Sequence, residues 1–251
     1  MKRKILVFFA MTGLFTLPLL AQPGALKLTE VMDLPAATML QPGDIHTTLR
    51  MYPGGGFLPS LLVGLSDRFC LGVSYGGQNI IGQGRVNLNP QPAVHVRYRL
   101  FAERMLFPAI VLGFQSQGYG GWDKRLKRYD IKSRGFYAVA SKNTSYLGGI
   151  GLHTGINWST ETEDGDDDIN LFAGVHKWLN EEIVLLAEYD TAINDNDDNA
   201  LGSGKGYLNA GVRWVFAQQF FVEFAWKNIL ENGTRVLGSS REIKLCYQTM
   251  L

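Results

Sequence analysis

The chain contains 251 residues, of which 46% are hydrophobic and 12% aromatic, and 29 of them are glycines. Its 24 basic and 23 acidic side chains give a net charge of +1, which does not favour nucleic acid as a partner, and the apolar content excludes a disordered chain. Two cysteines cannot build a disulfide framework or the Cys/His pattern of a zinc site. These figures favour one β-rich unit, either a barrel or a sandwich.

The N-terminus has the features of an export signal. Basic residues at positions 2–4 precede an apolar run over residues 5–20. The pattern predicts a secretory signal peptide over residues 1–21, because the run is too short for the alternative, an uncleaved membrane anchor. Residues 22–43 then form an N-terminal segment that either stays in the periplasm or enters the lumen of a barrel.

Alternation of polar and apolar residues runs through most of the remaining chain. His95, Arg97 and Arg99 share one parity, while the residues between them are apolar or aromatic. The last three predicted strands repeat this pattern. Period-two alternation is typical of strands with two different faces, in a sandwich or in a membrane barrel.

The connections between the predicted strands separate these two folds. The strands are predicted at 44–52, 57–65, 69–77, 92–100, 108–118, 134–142, 149–158, 169–178, 182–192, 206–216, 219–228 and 240–248. After the tight link at 53–56, short turns (66–68, 101–107, 143–148, 179–181, 217–218) alternate with long polar loops (78–91, 119–133, 159–168, 193–205, 229–239). An even strand number with short turns at one end and long loops at the other indicates an outer-membrane barrel.

Several blocks of sequence carry a family resemblance. Val94–Leu100, Pro108 with Gly118–Gly120, Tyr137–Lys142 and Leu147–Leu152 occur in that order within residues 40 to 160. In these blocks the chain resembles the YjbH-like family of outer-membrane proteins. The resemblance implies an outer-membrane β-barrel associated with the production or export of extracellular polysaccharide, and it supplies no active-site residues.

Charged residues of the inward parity are the candidate functional residues of the lumen. They are Arg50, His95, Arg97, Arg99, Glu188, Asp190, Arg213 and Glu223. Two interpretations remain open: a cross-lumen network of ion pairs, or a narrow hydrated path. In the second, Arg97, Arg99 and Arg213 would select anionic sugars, because guanidinium groups bind carboxylates well.

Two charged loops are candidate surface contacts. The basic loop contributes Lys124, Arg125, Lys127 and Arg128, and the acidic loop contributes Asp164, Asp166, Asp167 and Asp168. Solvated loop surface is the simplest interpretation. Alternatively, the two loops pair with each other, the basic loop contacts lipopolysaccharide phosphates or acidic polysaccharide, or the acidic loop gathers divalent cations. Because the acidic stretches do not match a calcium-binding loop, we predict no metal site and no cofactor.

An enzyme would need a serine beside a histidine on neighbouring strands. Taking Lys142 as a lumen residue places Ser141 on the lipid face, away from His153. We therefore expect no enzymatic activity. Cys70 and Cys246 both have inward parity on strands that are not adjacent, so we expect them to remain unpaired.

The sequence thus predicts an all-β transmembrane antiparallel barrel of about 12 strands over residues 44–251, located in the bacterial outer membrane. The predicted function is non-enzymatic, in exopolysaccharide production or export or in narrow solute passage. A sealed structural or adhesive barrel is the alternative, and a lipid-active hydrolase the third. Outer-membrane lipid and lipopolysaccharide are the expected partners, polysaccharide and export-machinery proteins are further candidates, and nucleic acid is not expected.

Overall fold

The structure is a computed structural model, and it describes residues 26–144, 149–197, 199–216, 219–233 and 238–250. The predicted signal peptide lies outside these residues, so its bounds stay a prediction. In the described part of the chain, no helix is long and apolar enough to cross a membrane.

The described residues form β-strands and one turn of 3-10 helix at Ile193–Asp195. In chain order the strands are β1 (Asp44–Tyr52), β2 (Gly56–Ser66), β3 (Phe69–Ser74), β4 (Gly77–Gln78), β5 (Asn87–Leu88), β6 (Ala93–Phe101), β7 (Ala109–Gln115), β8 (Tyr119–Asp123), β9 (Arg128–Ile131), β10 (Gly135–Thr144), β11 (Ile150–Trp158), β12 (Asn170–Trp178), β13 (Ile183–Asp190), β14 (Tyr207–Phe216), β15 (Phe220–Lys227) and β16 (Ser240–Met250).

Twelve of these strands close into one antiparallel barrel. Around the wall they follow the order β1, β2, β3, β6, β7, β10, β11, β12, β13, β14, β15 and β16. The barrel closes because β1 pairs with both β2 and β16. Closure leaves no unpaired strand edge in the wall, which a sheet in hydrocarbon requires. The predicted fold class is confirmed.

The two ends of the barrel differ. At one end the strands are joined by short turns, and β1 begins and β16 ends there, since Asp44 lies opposite Met250. The other end carries the long connections, in which β4 pairs with β5 and β8 pairs with β9 in a separate hairpin. These are the short-turn end and the long-loop end, which correspond to the periplasmic and extracellular ends of an outer-membrane barrel.

Large apolar side chains cover the outer face of the barrel. Exposed members include Val73, Val94, Tyr98, Leu112, Phe136, Leu152, Ile156, Trp158, Leu171, Val212, Trp214, Phe224, Trp226 and Ile243. Water would not support so extensive an apolar surface, whereas the hydrocarbon core of a bilayer matches it. The chain is therefore a membrane-embedded β-barrel of the outer-membrane type, in agreement with the predicted location.

Residues 26–43, called the plug below, run inside the barrel as a hairpin. Glu30 and Pro35 form an antiparallel bridge, and the N–H of Val31 donates to the carbonyl of Leu34 at 2.9 Å. The tip of the hairpin is therefore the short turn between them.

The plug enters and leaves at the short-turn end. The N–H of Lys27 donates to Oε1 of Gln248 at 3.0 Å, near the end of β16. After the hairpin, the N–H of Gly43 donates to the carbonyl of Gly64 at 2.9 Å, close to the turn that follows β2.

Apolar side chains of the plug pack against both halves of the barrel wall. Leu34, Ala37, Met39 and Leu40 join a buried cluster with Cys70, Ala109, Val111, Tyr137, Val139 and Phe172. Val31 and Met32 join a second cluster with Val184, Leu186, Val215, Phe221, Ala225 and Cys246. The hydrophobic core of the protein is therefore the contact between plug and wall, and burial of this surface stabilises the plug in the lumen.

Glycines on the inner face make room for the plug. A Cβ atom at Gly174 would lie 3.1 Å from Cγ2 of Val31, and one at Gly211 would lie 2.9 Å from Sδ of Met32. Larger residues at these two inward positions would collide with the hairpin, so the sequence of the wall is adapted to an occupied lumen.

Candidate functional site: the plugged lumen

Glu188 binds the tip of the plug. Its carboxylate accepts hydrogen bonds from the backbone N–H groups of Met32, Asp33 and Leu34, each at 3.0 Å. Successive N–H groups that converge on one point form a binding site for an anion, and here the wall supplies the anion. Asn209 supports the carboxylate by donating to its Oε1 at 2.8 Å.

The side chain of Asp33 makes ion pairs with the wall. Arg50 on β1 donates to its Oδ1 at 2.8 Å, and Lys227 on β15 pairs with its Oδ2. Arg50 also pairs with Glu242, on the neighbouring strand β16. All these groups are buried or nearly so, and each has an opposite charge within reach, which is how buried charges are tolerated.

A second charge cluster binds the first arm of the plug, at Glu30 and Val31. Arg213 pairs with Glu223 and donates to the carbonyl of Val31 at 2.6 Å. Lys244 lies 3.5 Å from the same Glu223 and donates to Oε1 of Glu30 at 2.8 Å. Charges of the wall are thus paired within the wall, and the remaining hydrogen-bond donors of Arg213 and Lys244 bind the plug.

Arg97, on strand β6 of the wall, binds both arms of the hairpin. Its Nη1 donates to the carbonyl of Thr29 at 2.9 Å, and its Nη2 donates to the carbonyls of Ala36 and Thr38. Arg97 is only 6% exposed, and both of its terminal nitrogens donate to plug carbonyls. In this arrangement it does not face an open channel.

The predicted lumen residues occupy the inner face. Arg50, Arg97, Glu188, Asp190, Arg213 and Glu223 are buried, and His95 and Arg99 are half-buried. Asp190 lies towards the long-loop end and pairs with Arg134. Arg50, Glu188, Asp190, Arg213 and Glu223 therefore have an opposite charge nearby, whereas Arg97 binds carbonyl groups of the plug. A role of Arg97, Arg99 and Arg213 in anion selectivity stays a prediction.

The described part of the chain leaves small cavities beside the plug. Two small cavities, of about 60 Å³ and 30 Å³, lie between the plug and the wall, and both are lined by Glu30, Thr48 and His95. Spaces of this size hold a few water molecules at most, since one water occupies about 30 Å³ in the liquid.

The prediction that Ser141 faces lipid is wrong. It faces inward rather than towards lipid, and its Oγ lies 2.7 Å from Nδ1 of His153. The error came from Lys142, which was placed in the lumen but faces outward near the short-turn end, where its Nζ lies 3.2 Å from Oε1 of Glu103. A lysine near a strand end reaches the aqueous interface from the outer face, so its charge does not mark an inward position.

Ser141 belongs to a chain of polar side chains. His153 extends it through Nε2, which lies 2.9 Å from Nδ1 of His176. A serine, a histidine and a second polar group in this order resemble a nucleophile with its base. However, the Oγ of Ser141 accepts a hydrogen bond from the plug N–H of Ala37 at 2.7 Å, and Ser141 is only 2% exposed. While the plug is in place, this hydroxyl is not accessible to a substrate.

The charged loops meet at the long-loop end, and there they differ from the expected solvated loop surface. Arg128 is fully buried and pairs with Asp164 at 2.5 Å and with Asp195 at 2.6 Å. Lys132 donates to the other oxygen of Asp164 at 2.8 Å. The loops are therefore paired with each other at these positions rather than solvated, because neighbouring loops fold over the barrel end and supply opposite charges.

The other residues of these loops are divided between surface and interior. Lys124, Arg125, Lys127, Asp167 and Asp168 are exposed, whereas Asp166 is buried and accepts a hydrogen bond from the N–H of Asn196. In the described residues, no group of three or more His, Cys, Asp or Glu side chains is placed to hold a metal ion.

Glu161 lies in the same loop region with its carboxylate turned inward. It accepts hydrogen bonds from the N–H groups of Tyr129, at 2.9 Å, and Ser133, at 3.2 Å. Burial raises the pKa of the Glu161 carboxyl above its usual range, and these bonds only partly oppose the effect.

The chain has a low similarity to solved structures of outer-membrane proteins. No model of a protein family matches the chain, and no curated protein matches it. The KdgM porin is similar with a TM-score of 0.47 and 10% identity over 83% of this chain and 99% of the porin. The KdgM porin in complex with disordered oligogalacturonate gives 0.46 and 11% over 83% and 99%. The outer membrane protein Omp33 of Acinetobacter baumannii gives 0.43 and 9% over 83% and 97%.

Sequence reasoning missed the residues of the plug that make the specific contacts. Alternation identifies strands, but an irregular hairpin has no period, so Asp33 and its neighbours carried no signal. The inward-facing glycines did carry a signal in the sequence. Gly174 and Gly211 leave gaps on the inner face, and the side chains of Val31 and Met32 lie against them.

Proposed function

We propose that this protein is a passage across the outer membrane that its own plug keeps closed. The observation that carries the proposal is the set of hydrogen bonds from Met32, Asp33 and Leu34 to Glu188. A solute could cross only if these bonds were broken and the hairpin moved. Polar contacts can be exchanged for water as the hairpin leaves, and such exchange makes a displaceable plug physically reasonable.

Conductance across a planar lipid bilayer tests the proposal. The refolded full-length chain should be silent apart from rare openings. Gly174→Leu places a large side chain where even a Cβ lies 3.1 Å from Val31, so it should displace the plug and increase the open time. Ala173→Leu is the matched control, because Ala173 is the exposed neighbour on the same strand and should behave as the wild type.

Two results would contradict a closed passage. A wild-type chain with steady conductance would show that the plug does not close the lumen. A Gly174→Leu variant that folds and inserts but stays silent would favour the alternative, a sealed structural or adhesive barrel.

The finer assignment to exopolysaccharide production or export is also a proposal. It is supported by the resemblance of residues 40 to 160 to the YjbH-like family. A bacterial strain that lacks the protein should release less exopolysaccharide than its parent, and the plasmid-borne gene should restore the amount. An unchanged amount would remove this assignment and leave the plugged passage untouched.

A lipid-active hydrolase is a second candidate, supported by the hydrogen bonds that join Ser141, His153 and His176. A fluorophosphonate probe would report a reactive Ser141, because its phosphorus is attacked by an activated hydroxyl with loss of fluoride. The hydrolase would require labelling of the Gly174→Leu variant and none after a further Ser141→Ala change. Absence of labelling would leave these side chains a structural network.

A further inference from the structure

A further cavity lies at the long-loop end, outside the plugged lumen. It has a volume of about 170 Å³, and its wall is built by loops that belong to three different connections. Gln91, Lys127 and Thr160 line it and are exposed, so the cavity communicates with the external solvent. Its volume corresponds to about six water molecules at about 30 Å³ each, which is enough for a group the size of one sugar ring.

The wall of this cavity combines aromatic and polar groups. Trp122 and Tyr129 form one side, with ring centroids 4.9 Å apart and planes at 77°. Ser133, Glu161 and Gln91 are polar residues that also line the cavity. An apolar ring surface beside several donors and acceptors is the composition expected of a site for a small polar molecule that has both apolar and hydroxyl-bearing faces.

Ser133 and Glu161 form a polar pair in this wall. Ser133 is 2% exposed, and its hydroxyl is a hydrogen-bond partner of the Glu161 carboxylate. A serine hydroxyl that donates to a carboxylate keeps acceptor capacity. The carboxylate of Glu161 retains acceptor capacity as well, because each of its oxygens receives only one backbone N–H.

The cationic groups near the cavity are already paired. The ammonium of Lys127 lies 2.8 Å from Oε1 of Glu163, and the guanidinium of Arg128 pairs with Asp164 and Asp195. The Glu161 carboxylate in the wall disfavours an anion. An uncharged ligand rich in hydroxyl groups avoids this penalty and can donate to the carboxylate, since hydroxyls both donate and accept.

We propose that this cavity is a binding site for a single uncharged sugar ring at the outer surface of the barrel. The ring would pack on Trp122 and exchange hydrogen bonds with Gln91, Ser133 and Glu161. The site goes beyond the closed passage and does not depend on whether the plug ever moves.

Binding of monosaccharides to the refolded full-length protein tests this inference. Glucose and N-acetylglucosamine are the neutral probes, glucuronate the anionic probe and glucosamine the cationic probe, in a detergent without a sugar headgroup. Saturation-transfer NMR should detect the neutral probes, and titration should give dissociation constants in the millimolar range.

Two variants locate the binding. Ser133→Ala and Gln91→Ala should each weaken it by about fivefold to tenfold, the effect of one lost hydrogen bond. Gln83→Ala is the matched control, because Gln83 is an exposed glutamine in a neighbouring part of the long-loop end. Gln91 is also exposed, so its variant should fold normally.

Three results would overturn the inference. They are no binding of either neutral probe, tighter binding of glucuronate or glucosamine, and equal binding by the wild type and both cavity variants. None of these depends on conductance, so the inference and the closed passage can fail separately.

Discussion

The carboxylate of Glu188 receives the backbone N–H of Asp33 at the tip of the plug, and the N–H groups on either side of it. One side chain of the barrel wall therefore fixes the turn of a hairpin that is remote from it in sequence. Because a carboxylate needs its negative charge to bind several donors strongly, this contact offers a direct way to weaken the plug.

Replacement of Glu188 by glutamine should destabilise the folded protein by about 1.5–3 kcal/mol, since hydrogen bonds to a charged acceptor are replaced by weaker ones. Urea unfolding of the refolded protein in lipid vesicles measures the change. Glu182→Gln is the control, because Glu182 is exposed in a short turn and should have little effect. Equal effects of the two substitutions would argue against the role of Glu188.

Loss of Arg213 should be more damaging, because among the described residues it leaves the buried carboxylate of Glu223 with Lys244, at 3.5 Å, as its remaining ion-pair partner. Removing one partner of a buried ion pair costs about 3–5 kcal/mol. The free energy of unfolding of Arg213→Ala tests this, and Arg213→Ala/Glu223→Ala should recover part of the loss. A changed ion selectivity with unchanged stability would instead favour the open, anion-selective lumen.

Two positions on β14 test the orientation and depth of the barrel. Val212 and Leu208 share the outward parity, but Val212 lies near the middle of the strand and Leu208 near its end. Arginine at a midplane site facing lipid costs about 2–4 kcal/mol, and near the interface it costs about 0–1 kcal/mol. The unfolding free energies of Val212→Arg and Leu208→Arg should therefore differ clearly, and equal values would contradict the placement in the bilayer.

The raised pKa of Glu161 gives the loop region a pH dependence. Burial disfavours the charged carboxylate, so this group stabilises the folded loops most below its ordinary value of 4.5. That contribution is lost as the pH rises from 4.5 through the higher folded pKa. Relative to Glu161→Gln, the wild type should therefore lose stability over this window, as measured by protease resistance of the long loops. If the difference in stability between the wild type and Glu161→Gln stays constant with pH, or grows in favour of the wild type as the pH rises, the assignment is wrong.

The sequence was most informative about the wall of the barrel. Alternation predicted each barrel strand close to its observed bounds, because the lipid on one side and the polar plug on the other impose a period of two. The third strand shows the limit. It was predicted over 69–77 but ends at Ser74, and Gly77–Gln78 forms the separate short strand β4, in which Gly77 pairs with Phe57 of β2.

The contents of the lumen and the loops were harder to predict. A charge at a given parity reveals its face but not its partner, so the ion pairs of Arg128 with Asp164 and Asp195 required the fold of three separate loops. Ser141 was misplaced for a related reason. Its neighbour Lys142 was assigned by charge alone, although the position near the strand end decides where a lysine can reach water.

Hydrogen exchange of the full-length protein in lipid vesicles tests the presence of the plug in the lumen most directly. The amides of Met32, Asp33 and Leu34 are bonded to Glu188 or held in the hairpin, and their residues are buried. They should therefore exchange as slowly as those of the barrel strands. Exchange of these three amides at the rate of an unstructured chain, beside protected strands, would show that the barrel forms without its plug.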